Sequence, residues 1–350
     1  MATINGDEFD NKYGGTEGFD VINGAGGDDT LTSTSGLDIM HGDAGNDVVS
    51  SRSRFAGQAF GDDGDDKIYA NAAADGYGGA DDDSLSGDGH LYGGAGNDSF
   101  TEGRYCFGDD GNDLLVSTGT DFASGASFRL YGGNGDDTIR GFALEYISGG
   151  EGNDLIEGGA GVGALGDGGN DTMIASGPGS VMYAGDGQDL LMGDDGGDTL
   201  SGGNDDDTVH GGGSGDALFG GDGSDRLYGD AGGDQIKGGG GRDTIYGGAD
   251  ADLMLGQGGA DRFVFLSLAD MGLDAGQDSI KGFVSGSDRL DLRGLAADLH
   301  FITTGFTGAA GEVRFGTGTQ QLLIDLDGNG AADGSILFLT GNVIGTDLIL

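Results

Sequence analysis

Residues Ala184–Phe263 read AGDGQDLLM, GDDGGDTLS, GGNDDDTVH, GGGSGDALF, GGDGSDRLY, GDAGGDQIK, GGGGRDTIY, GGADADLML and GQGGADRF, nine-residue units with no insertion or deletion until the shortened last one. The sixth position is always aspartate: Asp189, Asp198, Asp207, Asp216, Asp225, Asp234, Asp243, Asp252 and Asp261. The eighth is always a large apolar residue: Leu191, Leu200, Val209, Leu218, Leu227, Ile236, Ile245, Met254 and Phe263. Such a repeat decides the architecture before any single residue is weighed. Each unit divides into a six-residue turn and a three-residue strand. Glycine at positions one, two and four suits a backbone that enters φ > 0. The strand residues alternate out, in, out, so position eight points inward. One such strand cannot bury its side chain alone. Two units make one coil of about eighteen residues, and stacked coils make two parallel ladders around a thin apolar seam. The expected fold is all-β: a parallel β-roll, a calcium-binding β-solenoid by the ligand argument that follows.

The turns of such a roll pile up along both edges, each carrying an aspartate and several carbonyls. Carboxylates so close repel one another unless a cation lies between them. Oxygen-only ligation in a flexible loop favours Ca²⁺ over Zn²⁺ or Mg²⁺. The units resemble the Ca²⁺-binding nonapeptide repeats of RTX (hemolysin-type) proteins. The resemblance implies a parallel β-roll with multiple Ca²⁺ held between turns of successive coils.

Upstream, residues 1–14 are a polar lead-in. The register is visible from Gly15, in GTEGFDVIN, GAGGDDTLT, STSGLDIMH and GDAGNDVVS, with sixth-position Asp20, Asp29, Asp38 and Asp47. Between Ser51 and Tyr183 recognisable turns continue at Asp66, Asp83, Asp98, Asp113, Asp137, Asp154 and Asp171, then Asp189, spaced 19, 17, 15, 15, 24, 17, 17 and 18 from Asp47 onward. These intervals scatter around one coil, so residues 15–183 are expected to keep metal turns mainly on one edge. The degenerate halves hold Arg52, Arg54, Arg104, Arg129 and Arg140 with Phe55, Tyr69, Tyr77, Tyr105, Phe107, Phe122, Phe128, Tyr131, Phe142 and Tyr146. They read either as a binding surface of arginines and aromatic platforms, or as aromatics filling inward positions where Ca²⁺ no longer serves as glue. Gly119–Ala126 is expected to form a longer surface loop.

After the strict roll of 184–263, residues 264–350 carry less glycine and more leucine, isoleucine and phenylalanine. Expected strands are Arg262–Phe265, Ser279–Phe283, Arg289–Leu292, His300–Thr303, Glu312–Phe315, Gln321–Leu326, Ile336–Leu339 and Asp347–Leu350, with a short helical turn at Ser267–Met271. An open roll end exposes unpaired strands, and this β-rich segment is the natural cap. GADRFVF (259–265), QDSIKGF (277–283), GSDRLDL (286–292), GEVRF (311–315), LLIDLDGNGAADGSILFLTG (322–341) and the terminal Asp347-Leu348-Ile349-Leu350 resemble the C-terminal domain of serralysin-type secreted metalloproteases. In that family such a C-terminus resembles an uncleaved signal for type I export, which implies the type I secretion apparatus as a partner. Asp325, Asp327 and Asn329 open a loop like that of an EF-hand, with Asp333 as a further ligand, although Ile336 stands where a bidentate Glu belongs. The alternative is an Asp/Asn/Gly turn joining two strands.

The 350-residue chain has 83 glycines, one proline and a net charge of −46. That acidity argues against nucleic acid and anionic membrane surfaces as partners. It also predicts an apo chain that repels itself, with metal supplying what a modest core cannot. Cys106 is the only cysteine, so no intrachain disulfide exists; a small buried residue is expected there. The opening residues MATINGDEFD have no basic start and no apolar run, so a Sec-type leader is not expected in them, and no stretch has transmembrane length. His41, His90, His210 and His300 are far apart and none is followed by glutamate, so there is no H-E-x-x-H zinc motif. His41 and His210, at outward ninth positions, read as solvated surface residues. No G-x-S-x-G elbow or phosphate loop is present. No catalytic residue is assigned. The expected function is a secreted, extracellular protein that folds on export by binding Ca²⁺ and acts in a structural, adhesive or surface role. The alternative is an extracellular polysaccharide-binding or polysaccharide-modifying module that uses the face of 51–183. A third reading is an accessory, catalytically empty relative of the serralysin proteases.

Overall fold

The computed structural model describes all residues except 34, 53–55, 72–73, 118–127, 143–145, 272–275, 317 and 342. Arg54, Phe55, Phe122 and the loop expected over Gly119–Ala126 all lie outside the described residues. The chain is a parallel β-solenoid of the β-roll type, and it falls into two compact units, Met1–Thr172 and Met173–Leu350.

In the first unit one ladder runs in parallel through Ala2–Asn5, Asp20–Asn23, Ile39–Ala44, Gln58–Asp63, Asp75–Ala80, His90–Ala95, Tyr105–Asp110, Arg129–Asn134, Tyr146–Glu151 and Gly163–Gly168. The other runs through Lys12–Gly14, Thr30–Ser33, Val48–Ser51, Lys67–Ala70, Ser84–Ser86, Ser99–Thr101, Leu114–Val116, Thr138–Arg140 and Leu155–Gly158. The out-in-out alternation holds. Met40, Ala59, Leu91, Cys106, Leu130 and Ile147 line one side of the seam; Val49, Ile68, Leu85, Phe100, Leu115 and Ile139 line the other. Small residues take some of the inward positions, Ala59, Gly76 and Cys106 among them. A Cβ on Gly76 would approach Ile68 Cγ2 to 2.8 Å. Cys106 fills such a place and is buried, as expected.

The aromatics of this unit divide: Phe128 is buried, as the inward reading expects, and most of the others are not. Phe60, Tyr77, Tyr92, Phe107 and Tyr131 sit on outward positions and do not fill the seam. With His41 they form one stacked column, at centroid separations of 4.5 to 4.9 Å and interplanar angles of 2 to 9°. Parallel strands in register place equivalent side chains one rung apart, about 4.8 Å, which is a stacking distance for flat rings. Each internal ring therefore has both faces covered by its neighbours and offers only its edge outward. The column is not a platform for a sugar ring.

In the second unit the strict repeats build the ladders Val181–Asp186, Thr199–Asn204, Ala217–Gly223, Gln235–Gly241, Leu253–Gly259 and Leu190–Met192, Thr208–His210, Arg226–Tyr228, Thr244–Tyr246, Arg262–Val264. Position eight is buried throughout, from Leu191 to Phe263. The ladders do not stop at Phe263. Asp278–Ile280 pairs in parallel with the strand of Met254, and Arg289–Asp291 with that of Phe263. Gly334–Phe338 and Leu348–Ile349 add one further rung to each. Glu312–Phe315, Gln321–Asp325 and Gly334–Phe338 form an antiparallel meander. A single 3₁₀ turn, Leu268–Asp270, lies where a helical turn is expected, with Ser267 as its cap. Among the described residues no helix is long and apolar enough to cross a membrane.

Candidate metal centre

The sixth-position aspartates form columns along the edges. In the first unit, the backbone N–H of each of Asp29, Asp47, Asp66, Asp83, Asp98, Asp113, Asp137 and Asp154 donates to Oδ1 of the aspartate one coil on, ending at Asp171, over 2.6 to 2.8 Å. The same bond links sequence intervals of 15, 17, 18, 19 and 24 residues, so the column is continuous although the coils differ in length. In the second unit one column runs Asp189, Asp207, Asp225, Asp243, Asp261. The other runs Asp198, Asp216, Asp234, Asp252.

One oxygen of each carboxylate is thereby used. The second is buried and has no hydrogen-bond partner at Asp29, Asp47, Asp66, Asp83, Asp98, Asp113, Asp137 and Asp154, nor at Asp207, Asp216, Asp225, Asp234, Asp243, Asp252 and Asp261. Burying a carboxylate oxygen without a donor or cation is strongly unfavourable. Burial, only partly offset by the backbone bond and reinforced by neighbouring aspartates, pushes Asp83 and Asp207 up to about 8. It pushes Asp66, Asp98, Asp137, Asp216, Asp243 and Asp252 up to about 7. At neutral pH such a column needs either protons or cations.

The glycines explain how the oxygens come so close. A Cβ on Gly108 would stand 2.1 Å from Asp113 Oδ2 and 2.4 Å from the Gly132 carbonyl of the next coil. A Cβ on Gly220 would stand 2.2 Å from Asp225 Oδ2 and 2.5 Å from the Gly238 carbonyl. Carboxylate and carbonyl therefore converge on space that only glycine leaves open, an oxygen cradle suited to a hard cation. This corrects the sequence reading of position one. Its glycines do not have φ > 0; left-handed residues stand at position two, such as Asp43 and Asp109, and at position four, such as Gly45 and Gly111.

The remaining sequence-assigned aspartates divide. Thr16 donates its hydroxyl and N–H to Asp20 Oδ2 and holds that carboxyl below its usual range. Ser33 donates to Asp38 Oδ2, and the Asp194 N–H to Asp198 Oδ2. These three do not present the unpartnered oxygen of the columns. Asp325, Asp327 and Asp333 each bring one oxygen within 4.8 Å of the others. Their loop is also closed by its own amides: Gly328 and Gly330 donate to Asp325, and Leu326 and Asp327 to Asp333. Asn329 binds Asp327 and Ala331 within the loop.

Two column members escaped the sequence reading. Asp252 donates to Asp278 Oδ1 and Asp261 to Asp288 Oδ1, across intervals of 26 and 27 residues. Asp278 Oδ2 is buried without a partner, and burial pushes that carboxyl up to about 8. The signal was present as Asp278-Ser279-Ile280 and Asp288-Arg289-Leu290, each an aspartate two residues before a buried apolar residue. A second missed feature is the fifth position. Asp28, Asn46, Asp65, Asp82, Asn97, Asn112, Asp136 and Asn153 each accept, on Oδ1, the N–H of the residue at the same position one coil on. These bonds run opposite to those of the aspartate column, so each turn is clamped from both neighbours.

The solution structure of the AlgE6R3 subunit from the Azotobacter vinelandii mannuronan C5-epimerase is similar to 47% of this chain over 80% of its own length, at 24% identity and a TM-score of 0.24. No curated protein matches the chain. The profile of the family described as Peptidase M10 serralysin C terminal matches residues 11–350, and the chain belongs to that family, as an RTX-type β-roll.

Proposed function

We propose that the chain is a secreted β-roll that binds multiple Ca²⁺, folds above neutral pH only when they are bound, and acts through its surface in a structural, adhesive or binding role. The observation behind this reading is the row of buried Oδ2 atoms without donors. RTX- and serralysin-type repeats generally bind Ca²⁺, and buried aspartates in stacked turns fit that use. Bound Ca²⁺ would supply positive charge to the cradles. The aspartate Oδ2 atoms and first-position glycine carbonyls are the ligands this chain offers, while the Oδ1 bonds hold the carboxylates in place. Extracellular sites of this kind bind at roughly 10⁻⁴–10⁻³ M. A site at 100-fold excess of free ion adds about 2.7 kcal/mol to the folded state. Where Ca²⁺ is scarce the −46 charge keeps the chain open.

Proteins of this family are secreted. We place the export signal at Asp347-Leu348-Ile349-Leu350, with the type I secretion apparatus as its reader. Circular dichroism of the full chain with Ca²⁺ and with EGTA tests the folding claim. A full β spectrum in excess EGTA at pH 8 would sink it.

A second reading keeps acidic polysaccharide or a cell surface as ligand. It rests on the outward row next to the stacked rings. There His90 Nδ1 lies 3.3 Å from Asp75 Oδ1, and Arg129 lies over Tyr105 and Tyr146 at 6.0 and 5.9 Å. Alginate or pectate binding lost in Arg129→Ala, with the β spectrum intact, supports it; unchanged binding removes it.

A further inference from the structure

The chain carries 15 lysines and arginines against 61 acidic residues, so a cluster of arginines needs a physical reason. In the second unit Arg226, Thr244, Arg262 and Arg289 occupy equivalent positions on successive rungs of one ladder. Beside them lies a cleft of about 480 Å³, lined by Arg242, Arg262, Arg289, Thr244, Ser287 and Asp261 among others. Three arginines and one aspartate are among its lining residues. Asp261 is buried and turned into its column, where it accepts the Asp243 N–H. Asp291 is shared by Arg262 and Arg293. Although burial raises its pKa, those two guanidinium groups hold its carboxyl down at about 2. Asp347 is 3.6 Å from Arg289 and also accepts from Ser285 and Gly286. Arg242 is exposed and has no ion pair among the described residues. Arg262 Nε is buried without an acceptor.

We infer that this cleft is an anion site, in which Arg242, Arg262 and Arg289 receive the carboxylate of an acidic ligand. The planar guanidinium fork matches a carboxylate with two parallel N–H···O bonds. No lysine is among the lining residues, so the donors are forks rather than point charges. A net charge of −46 repels anions at long range, so the attraction is local and weakens with salt. The cleft adjoins the metal column at Asp261, and an acidic ligand bound there would give the proposed surface role a defined site, the one reading on which this inference rests.

The test uses the full ¹⁵N-labelled chain in excess Ca²⁺ at pH 7, following arginine Nε–H resonances. Galacturonate is the probe, galactose its neutral control and inorganic sulfate the second anion. Galacturonate shifts Arg262 and Arg289 saturably and galactose does not. Arg242→Ser, at an exposed side chain, weakens galacturonate about tenfold, the size of one charge-assisted hydrogen bond. Arg226→Ser, outside the cleft lining, leaves the affinity within about twofold, as expected for a screened charge that makes no contact. The assignment is overturned by the absence of saturable shifts or by an equal response to galactose. It is also overturned by tighter binding of sulfate than of galacturonate, or by equal losses in the two variants. If Arg242→Ser does not fold, Arg289→Gln is read against the same outcomes.

Discussion

Replacing Gly108 by alanine tests the oxygen cradle directly. Gly108 does not have φ > 0, so alanine introduces no left-handed strain, and the effect comes from space alone. The new methyl would stand 2.1 Å from Asp113 Oδ2 and 2.4 Å from the Gly132 carbonyl. Asp113 Oδ1 is held by the Asp98 N–H, and Gly132 lies within the paired strand Arg129–Asn134, so neither oxygen is free to move away alone. Forcing a group into a close-packed site costs about 1–3 kcal/mol. Gly163 is the matched control. It also lacks φ > 0, and its Cβ would meet nothing within 4 Å. There alanine reduces the freedom of the unfolded chain and gains about 0.4–1 kcal/mol. The two variants should therefore separate by about 1.4–4 kcal/mol, in opposite directions from the parent. Urea midpoints at saturating Ca²⁺, read by circular dichroism, measure this. Limited proteolysis should map the weakness of Gly108→Ala to the neighbouring coils, because a solenoid fails between adjacent repeats. Equal midpoints for the two variants would falsify the cradle.

Chelated protein should lose β structure as pH rises. Burial pushes Asp47 up to about 6, Asp66 to about 7 and Asp83 and Asp207 to about 8 when folded, against 3.8 in an open chain. The folded state thus holds more protons between those values, and its stability, greatest below about pH 4, falls as pH rises through 6 to 8; β content in EGTA that is equal at pH 5 and pH 8.5 contradicts this. Calcium reverses the trend, since binding releases those protons, and the Ca²⁺ midpoint should fall as pH rises. Asp207→Asn keeps an Oδ1 acceptor but removes the buried charge. It should raise the Ca²⁺ concentration needed for folding and lower the Ca²⁺ content by atomic absorption, and unchanged content would exclude Asp207 as a ligand. Tyr92→Leu interrupts the outward ring column at its middle. It should cost about 1 kcal/mol in urea and leave the Ca²⁺ midpoint unmoved, whereas a shifted midpoint would tie the column to the metal edge.

Much of this was legible before the fold. A strict period forces parallel stacking, and one aspartate per coil forces a column, so the step from Asp47 to Asp66 and onward could be read through coils of unequal length. The cap's strands were legible as apolar runs between turns. Its continuation of the columns was not, because Asp278 and Asp288 lie 26 and 27 residues beyond their partners instead of 18. Among the aromatics of the first unit, Phe128 fits the inward reading, but Tyr77, Phe107 and Tyr131 depart from it for a physical reason. Ala59, Gly76 and Cys106 occupy the inward positions there, so the apolar weight of the pattern falls on outward Phe60, Tyr77 and Phe107. Hydrophobicity alone then points to the wrong face. The role of first-position glycine was hidden because sequence does not distinguish a glycine needed for its backbone angle from one needed for its missing methyl.

The unequal coils of the first unit have an engineering consequence. Steps of 15 and 24 residues close on the same aspartate bond, at 2.7 to 2.8 Å. The aspartate edge acts as a keel that fixes the rise per coil, and the opposite edge is free to change length. Insertions and deletions there alter the outline of the molecule without breaking the stack. Peptides grafted at that edge would be displayed one per coil along the first unit, and the same freedom lets natural sequence drift remodel one flank while the other keeps its bonds.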